Sequence, residues 1–75
     1  MEFCVAGNYE RIARRLASAI ESEFSIDVAL IPSRGGVLEV SVGGRLIFSK
    51  KANRRFPEAD EVAYHVRAWV ASQKA

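Results

Sequence analysis

One sulfur in this chain could do chemistry. Cys4 is the only cysteine among 75 residues, and it lies in Phe3-Cys4-Val5-Ala6-Gly7-Asn8-Tyr9, where a short apolar run breaks at a glycine and passes into a helix. A strand-to-helix turn leaves backbone N–H groups without partners, which makes it a place where anions and thiolates are stabilised. The residues alone leave a second reading open, because a free cysteine also packs as a small buried apolar side chain.

The elements that must position this turn follow from periodicity. Met1 to Cys4 is long enough only for the end of a strand, about 10 Å of extended chain. From Asn8 the pattern becomes helical: Ile12, Leu16, Ile20 and Phe24 recur every four residues beside Ala13 and Ala17, against Arg11, Arg14, Arg15, Ser18, Glu21 and Ser22. This predicts a helix from Tyr9 to Glu23, with the Asn8 side chain as its N-cap and Glu10 paired to Arg14. Ile26 to Ile31 is β-branched and apolar except at Asp27, which suits a strand covered on both faces, ended by Pro32-Ser33-Arg34-Gly35-Gly36. Val37 to Val42 and Arg45 to Ser49 read as a hairpin across Gly43-Gly44, since both turn positions tolerate φ > 0. Lys50 to Phe56 reads as a polar connection. Pro57, placed at a first helical position and followed by Glu58, Asp60 and Glu61, opens a second helix with Ala59, Val62, Ala63, Val66, Trp69 and Val70 on its apolar stripe and Arg67 and Lys74 toward its C-terminus.

The order is β-α-β-β-β-α, an α/β (α+β) fold with a four-stranded mixed sheet and two helices. A right-handed parallel crossover joins the first two strands and places the Cys4 strand in the middle of the sheet. That leaves the shortest strand where a sheet most needs a long one.

Composition bounds the function. The chain is 49% hydrophobic and 27% charged, ordinary for one globular domain spanning residues 1–75. A lone cysteine without clustered histidines predicts neither an internal disulfide nor a metal site. No apolar run is long enough to cross a bilayer and no signal-peptide pattern opens the chain, so the expectation is a cytoplasmic protein without membrane partners. A net charge of +2 is too small to imply a polyanion partner by itself.

Phe3-Cys4-Val5-Ala6-Gly7-Asn8-Tyr9 before an Arg- and Ala-rich helix, then Val28-Ala29-Leu30-Ile31-Pro32, Gly35-Gly36-Val37-Leu38-Glu39-Val40, Gly44-Arg45-Leu46-Ile47-Phe48-Ser49-Lys50-Lys51 and Phe56-Pro57-Glu58-Ala59, resembles the selenoprotein W-like family, also called Rdx or the SelT/SelW/SelH group. The resemblance covers nearly the whole chain and implies a thioredoxin-like fold and thiol redox chemistry, with a C-x-x-C or C-x-x-selenocysteine motif in the first loop. Cys4 matches the first thiol position, and Gly7 stands where the family carries cysteine or selenocysteine. Val5, Ala6, Asn8 and Tyr9 form the rest of the motif loop. The family's first strand also extends further upstream than Met1.

A dithiol motif attacks a disulfide and then resolves the mixed disulfide internally, a cycle that needs both sulfurs. With Gly7 in the second place, the expectation is a protein inactive as a stand-alone dithiol oxidoreductase, able at most to form a mixed disulfide with glutathione or a protein thiol through Cys4, and needing no cofactor. Position 7 borders the helix N-terminus and is the better activated of the two, so Cys4 is expected to be covered and less reactive, with Arg11 and Arg15 adding little positive potential. A non-catalytic adaptor is the alternative, and a shortened first strand predicts a homodimer or a poorly soluble monomer. Lys50, Lys51, Arg54 and Arg55 with Arg11, Arg14 and Arg15 could form a nucleic-acid face, but no aromatic residues interleave to stack bases, so nucleic acid is the weakest partner class. His65 reads as a boundary residue, Trp69 as core, Gly35-Gly36 as a turn rather than a phosphate or glutathione cradle, and the acids at residues 58–61 as partners of the helix dipole.

Overall fold

The computed structural model describes residues 1–73. Seven elements follow in order: β1 (Glu2–Cys4), α1 (Tyr9–Phe24), β2 (Ile31–Ser33), β3 (Leu38–Val42), β4 (Arg45–Ser49), α2 (Lys50–Asn53) and α3 (Ala59–Ser72). The four strands form one sheet in the order β2-β1-β3-β4. β1 is central, parallel to β2 with Phe3 opposite Pro32, and antiparallel to β3 with Phe3 opposite Leu38. Pro32 is tolerated because β2 is an edge. The backbone N–H of Ile31 and C=O of Ser33 bond toward β1, so the nitrogen of Pro32, which carries no hydrogen, faces outward.

Alternation along the strands splits the sheet into two faces. Phe3, Leu38, Val40 and Phe48 turn inward and form one core with Ala13, Leu16 and Ile20 of α1 and Val62, Ala63 and Val66 of α3. Both long helices therefore cover the same face. The opposite face carries Glu2, Cys4, Glu39, Ser41 and Ile31, which share register across the strands.

Several expectations shift. The second strand is Ile31–Ser33 rather than Ile26 to Ile31. Residues 26–30 are extended, with Ile26, Val28 and Leu30 half-buried against the core and their odd-numbered neighbours exposed, so one face is covered and not two. They form no ladder with β1 beyond the bond from the Met1 amine to Ala29 O. The connection after β4 contains a turn of helix, α2, because the Ser49 hydroxyl accepts from the Ala52 N–H and caps it; the described helices number three. Asn8 precedes α1, but its side chain makes no capping bond. Pro57 lies outside α3, whose N-cap is Glu58, closed by a reciprocal capping box with Glu61. Trp69 is half-buried, not core, and its indole nitrogen edge abuts Gly43 of the hairpin turn. Arg67 pairs with Glu23 and so ties α3 to α1, while Lys74 lies outside the described residues.

The packing of α3 can be tested at both of its ends. A β-carbon on Gly43 would overlap Trp69 Nε1, and the residue has φ of 59°. Gly43→Ala should therefore cost about 1–3 kcal/mol in denaturant unfolding and should shift the emission of the chain's single tryptophan. An unchanged midpoint would show that the indole does not rest on the turn. At the other end of α3, a two-pronged hydrogen bond from Arg55, with Glu58 N–H as a second donor, holds the Glu61 carboxyl at about 2. A depressed carboxyl stabilises the fold above its unfolded value near 4.5 and loses that contribution as pH falls toward 2. Glu61→Gln should accordingly lower stability at neutral pH and flatten the acid limb of the stability curve.

Candidate functional site

β1, β2 and β4 all end at one edge of the sheet, where α1 begins and α2 sits. Cys4 is the last residue of β1. Its backbone N–H donates to Val37 O at 2.8 Å, and the next residue's N–H, that of Val5, donates to Ser33 O at 3.1 Å, so the cysteine is clamped between both neighbouring strands. Its residue surface is only 6% exposed, and it lies outside the main apolar cluster formed by the helices and the sheet. The alternation that sends Phe3 inward sends Cys4 to the other face, where it is covered by polar backbone instead of apolar side chains.

That covering determines the thiol's chemistry. Hydrogen bonds from backbone N–H groups lower the Cys4 pKa below the ordinary thiol value, that of Ala6 first and that of Gly36 next. Burial opposes them, while the Gly35 N–H and the Lys51 ammonium add smaller lowering contributions. Charge-assisted N–H bonds favour thiolate over thiol for the same reason that an oxyanion hole favours an alkoxide. The activating groups are peptide N–H donors from two loops, and the cation is Lys51 of α2.

The other motif-loop residues divide clearly. Val5 is 55% exposed, and Ala6, Gly7 and Asn8 are also exposed. Gly7 adopts φ of 64°, a left-handed conformation that side chains rarely accept, although the space around it is ordinary, with Tyr9 Cδ1 3.9 Å from where a β-carbon would stand. Tyr9 is half-buried, edge-on to Phe56 with ring centroids 5.0 Å apart, and the Lys50 ammonium lies 5.3 Å and 5.2 Å from the two ring centres. Tyr9 Oη in turn lies 3.3 Å from where a Gly36 side chain would begin, and Lys51 Nζ 3.7 Å from the same point on Gly35. The glycine pair is thus the floor of the site, open because any side chain would meet Tyr9 or Lys51. The sequence marks it only as a turn and does not connect it with Cys4.

Arg55 is engaged by Glu61 and Arg14 by Glu10, and Lys50 and Lys51 turn toward the aromatic pair and the glycines. His65 is exposed on α3, and no group of metal-ligating residues occurs among the described residues.

No curated protein matches the chain. Among solved structures, a selenoprotein W-related protein from Vibrio cholerae is similar, with a TM-score of 0.82 and 28% identity over 92% of each chain. Its likeness makes the four-stranded mixed sheet described above a thioredoxin-like one. The Rdx family model matches residues 1–68, nearly all of the described chain, and on that match this protein belongs to the Rdx, selenoprotein W-like family.

Proposed function

We propose that this protein is a single-thiol redox protein in which Cys4 forms mixed disulfides with glutathione or protein thiols. What supports this most is a sulfur at the end of the central strand, outside the main apolar cluster, whose pKa is lowered chiefly by the backbone at Ala6 and Gly36. In the exchange step the Cys4 thiolate attacks one sulfur of a disulfide R–S–S–R′. A Cys4–S–S–R bond forms, the S–S bond of the substrate breaks, and R′–S⁻ leaves with the electron pair. With Gly7 in the second motif position no internal thiol can displace R, so a thiol from outside returns Cys4 to its starting state. Lys51 is a positioning residue that favours the thiolate and any anionic group on the partner.

The test is the rate of Cys4 modification by oxidised glutathione as a function of pH, followed by mass. The midpoint should lie below that of a free cysteine, Lys51→Gln should move it upward, and Cys4→Ser should abolish the adduct. A midpoint at or above the free-thiol value would refute the activated thiolate. A second measurement concerns Gly7→Cys. Because position 7 holds φ of 64°, the substitution should cost about 1–2 kcal/mol of stability in the reduced protein, even though the space for a side chain exists. A reduced variant as stable as the parent would show that the loop relaxes out of the left-handed conformation.

A further inference from the structure

Segments far apart in sequence meet at the turn between β2 and β3, and topology requires that turn to lie against the sulfur. β2 and β3 flank β1 on its two sides, so Arg34, Gly35 and Gly36, which join them, must cross the end of β1 where Cys4 stands. Both ends of the turn are held. Ser33 is the register partner of Cys4, and Val37 O accepts from the Cys4 N–H at 2.8 Å. The middle has no side chain to hold it, since Gly35 and Gly36 lie in the left-handed region at φ of 80° and 69°, and a glycine backbone keeps more freedom than any other. What fixes the middle comes from outside. Tyr9, the first residue of α1, sets its Oη 3.3 Å from the β-carbon position of Gly36, and Lys51 of α2 sets its Nζ 3.7 Å from that of Gly35. Lys50 joins these two supports. It neighbours Lys51, and its ammonium lies 5.3 Å from the centre of the Tyr9 ring and 5.2 Å from that of Phe56, which is edge-on to Tyr9. All three side chains, Tyr9, Lys50 and Phe56, are half-buried.

We infer that Tyr9 is a positioning residue for thiol–disulfide exchange at Cys4: it holds the Gly35-Gly36 turn beside the sulfur, and Lys50 and Phe56 hold Tyr9. This rests on the reading of Cys4 as an exchange thiol. The consequence follows from what the turn supplies, because the backbone at Gly36 and, to a smaller extent, at Gly35 lowers the Cys4 pKa. A turn that drifts gives this up, since a hydrogen bond weakens steeply as its geometry degrades. Such an effect differs in kind from that of the charges around the sulfur, which are Lys51 of α2, Glu2 and Glu39 on the same face of the sheet, and the exposed Arg34 of the turn. Lys50 acts on the thiol through the Tyr9 ring and not through its own field.

The probe is iodoacetamide, whose addition to Cys4 is followed by mass as a function of pH, together with amide exchange at Gly35 and Gly36 in the full chain. Tyr9→Leu should raise the pH midpoint of alkylation by roughly one unit and speed exchange at both glycines. Tyr9→Phe, which keeps a ring against Lys50 and Phe56 and carries the test if the leucine variant does not fold, should move both readouts in the same direction by less. Lys50→Gln should also raise the midpoint, and the rise should persist at about 1 M salt, where the Debye length is only about 3 Å. A rise that salt removes would make Lys50 a simple charge and overturn the proposal. So would Tyr9 variants that unfold more easily but keep the parent's alkylation midpoint, which would make the residue purely structural. Failure of the exchange reading looks different: oxidised glutathione would leave the parent's Cys4 unmodified, while alkylation and amide exchange still responded to Tyr9→Leu and upheld the positioning of the turn.

Discussion

The structure depends on a three-residue strand having neighbours on both sides. β1 is too short to hold a position by itself, and its backbone bonds to β2 and β3 fix both its place and its register. Register matters more here than length, because strand alternation is strict. A slip by one residue would expose Phe3, now 3% exposed in the core, and push Cys4 into the apolar interior. Burial of a phenylalanine is worth about 1.5–3 kcal/mol, so the side chain preceding the cysteine is what keeps the sulfur on the polar face. The chemistry at Cys4 thus rests on a packing decision made one residue earlier.

That same strand explains which parts of the fold could be read from the residues. The order of elements, the glycine hairpin and the long first helix were legible because each has a local cause: a period of four, an alternation, or a turn pair that accepts positive φ. The run Ile26 to Leu30 also has a clear local signature and does adopt an extended conformation. It is not a strand because a strand is defined by a partner, and the partner is a segment over twenty residues away. Lys50 to Asn53 failed for the opposite reason. Four residues carry no periodicity, and the turn is fixed by one hydroxyl, that of Ser49, which has no distinctive spacing in the sequence.

The candidate site shows a similar division. Cys4 and the loop after it were visible as the place to look, and the chain's own cations were visible as a charge cluster. What could not be seen was that the Gly35-Gly36 turn and Lys51 arrive at the sulfur from two other loops. Reasoning from the helix N-terminus favoured position 7, since a dipole argument knows only the axis. That argument says nothing of the backbone N–H groups of Ala6, Gly36 and Gly35, which lower the Cys4 pKa. The Gly35-Gly36 pair did carry a usable signal, because adjacent glycines after an edge strand mark a backbone that something must approach closely.

Attack and resolution place different demands on a thiol site, and this loop separates them. Attack needs a thiolate, which the backbone donors and, to a smaller extent, Lys51 favour without any second sulfur. Resolution needs a nucleophile within reach on the same chain, and position 7 offers a glycine in a conformation that penalises any side chain. In the proposed exchange, the lifetime of the mixed disulfide is therefore set by which outside thiols can reach a sulfur that is itself 6% exposed. The exposed Val5 follows Cys4 directly, and Tyr9 and Lys51 lie by the Gly35-Gly36 turn. In the proposed exchange, an apolar shoulder beside a cation would favour an incoming thiol by its shape and charge as well as by its intrinsic reactivity.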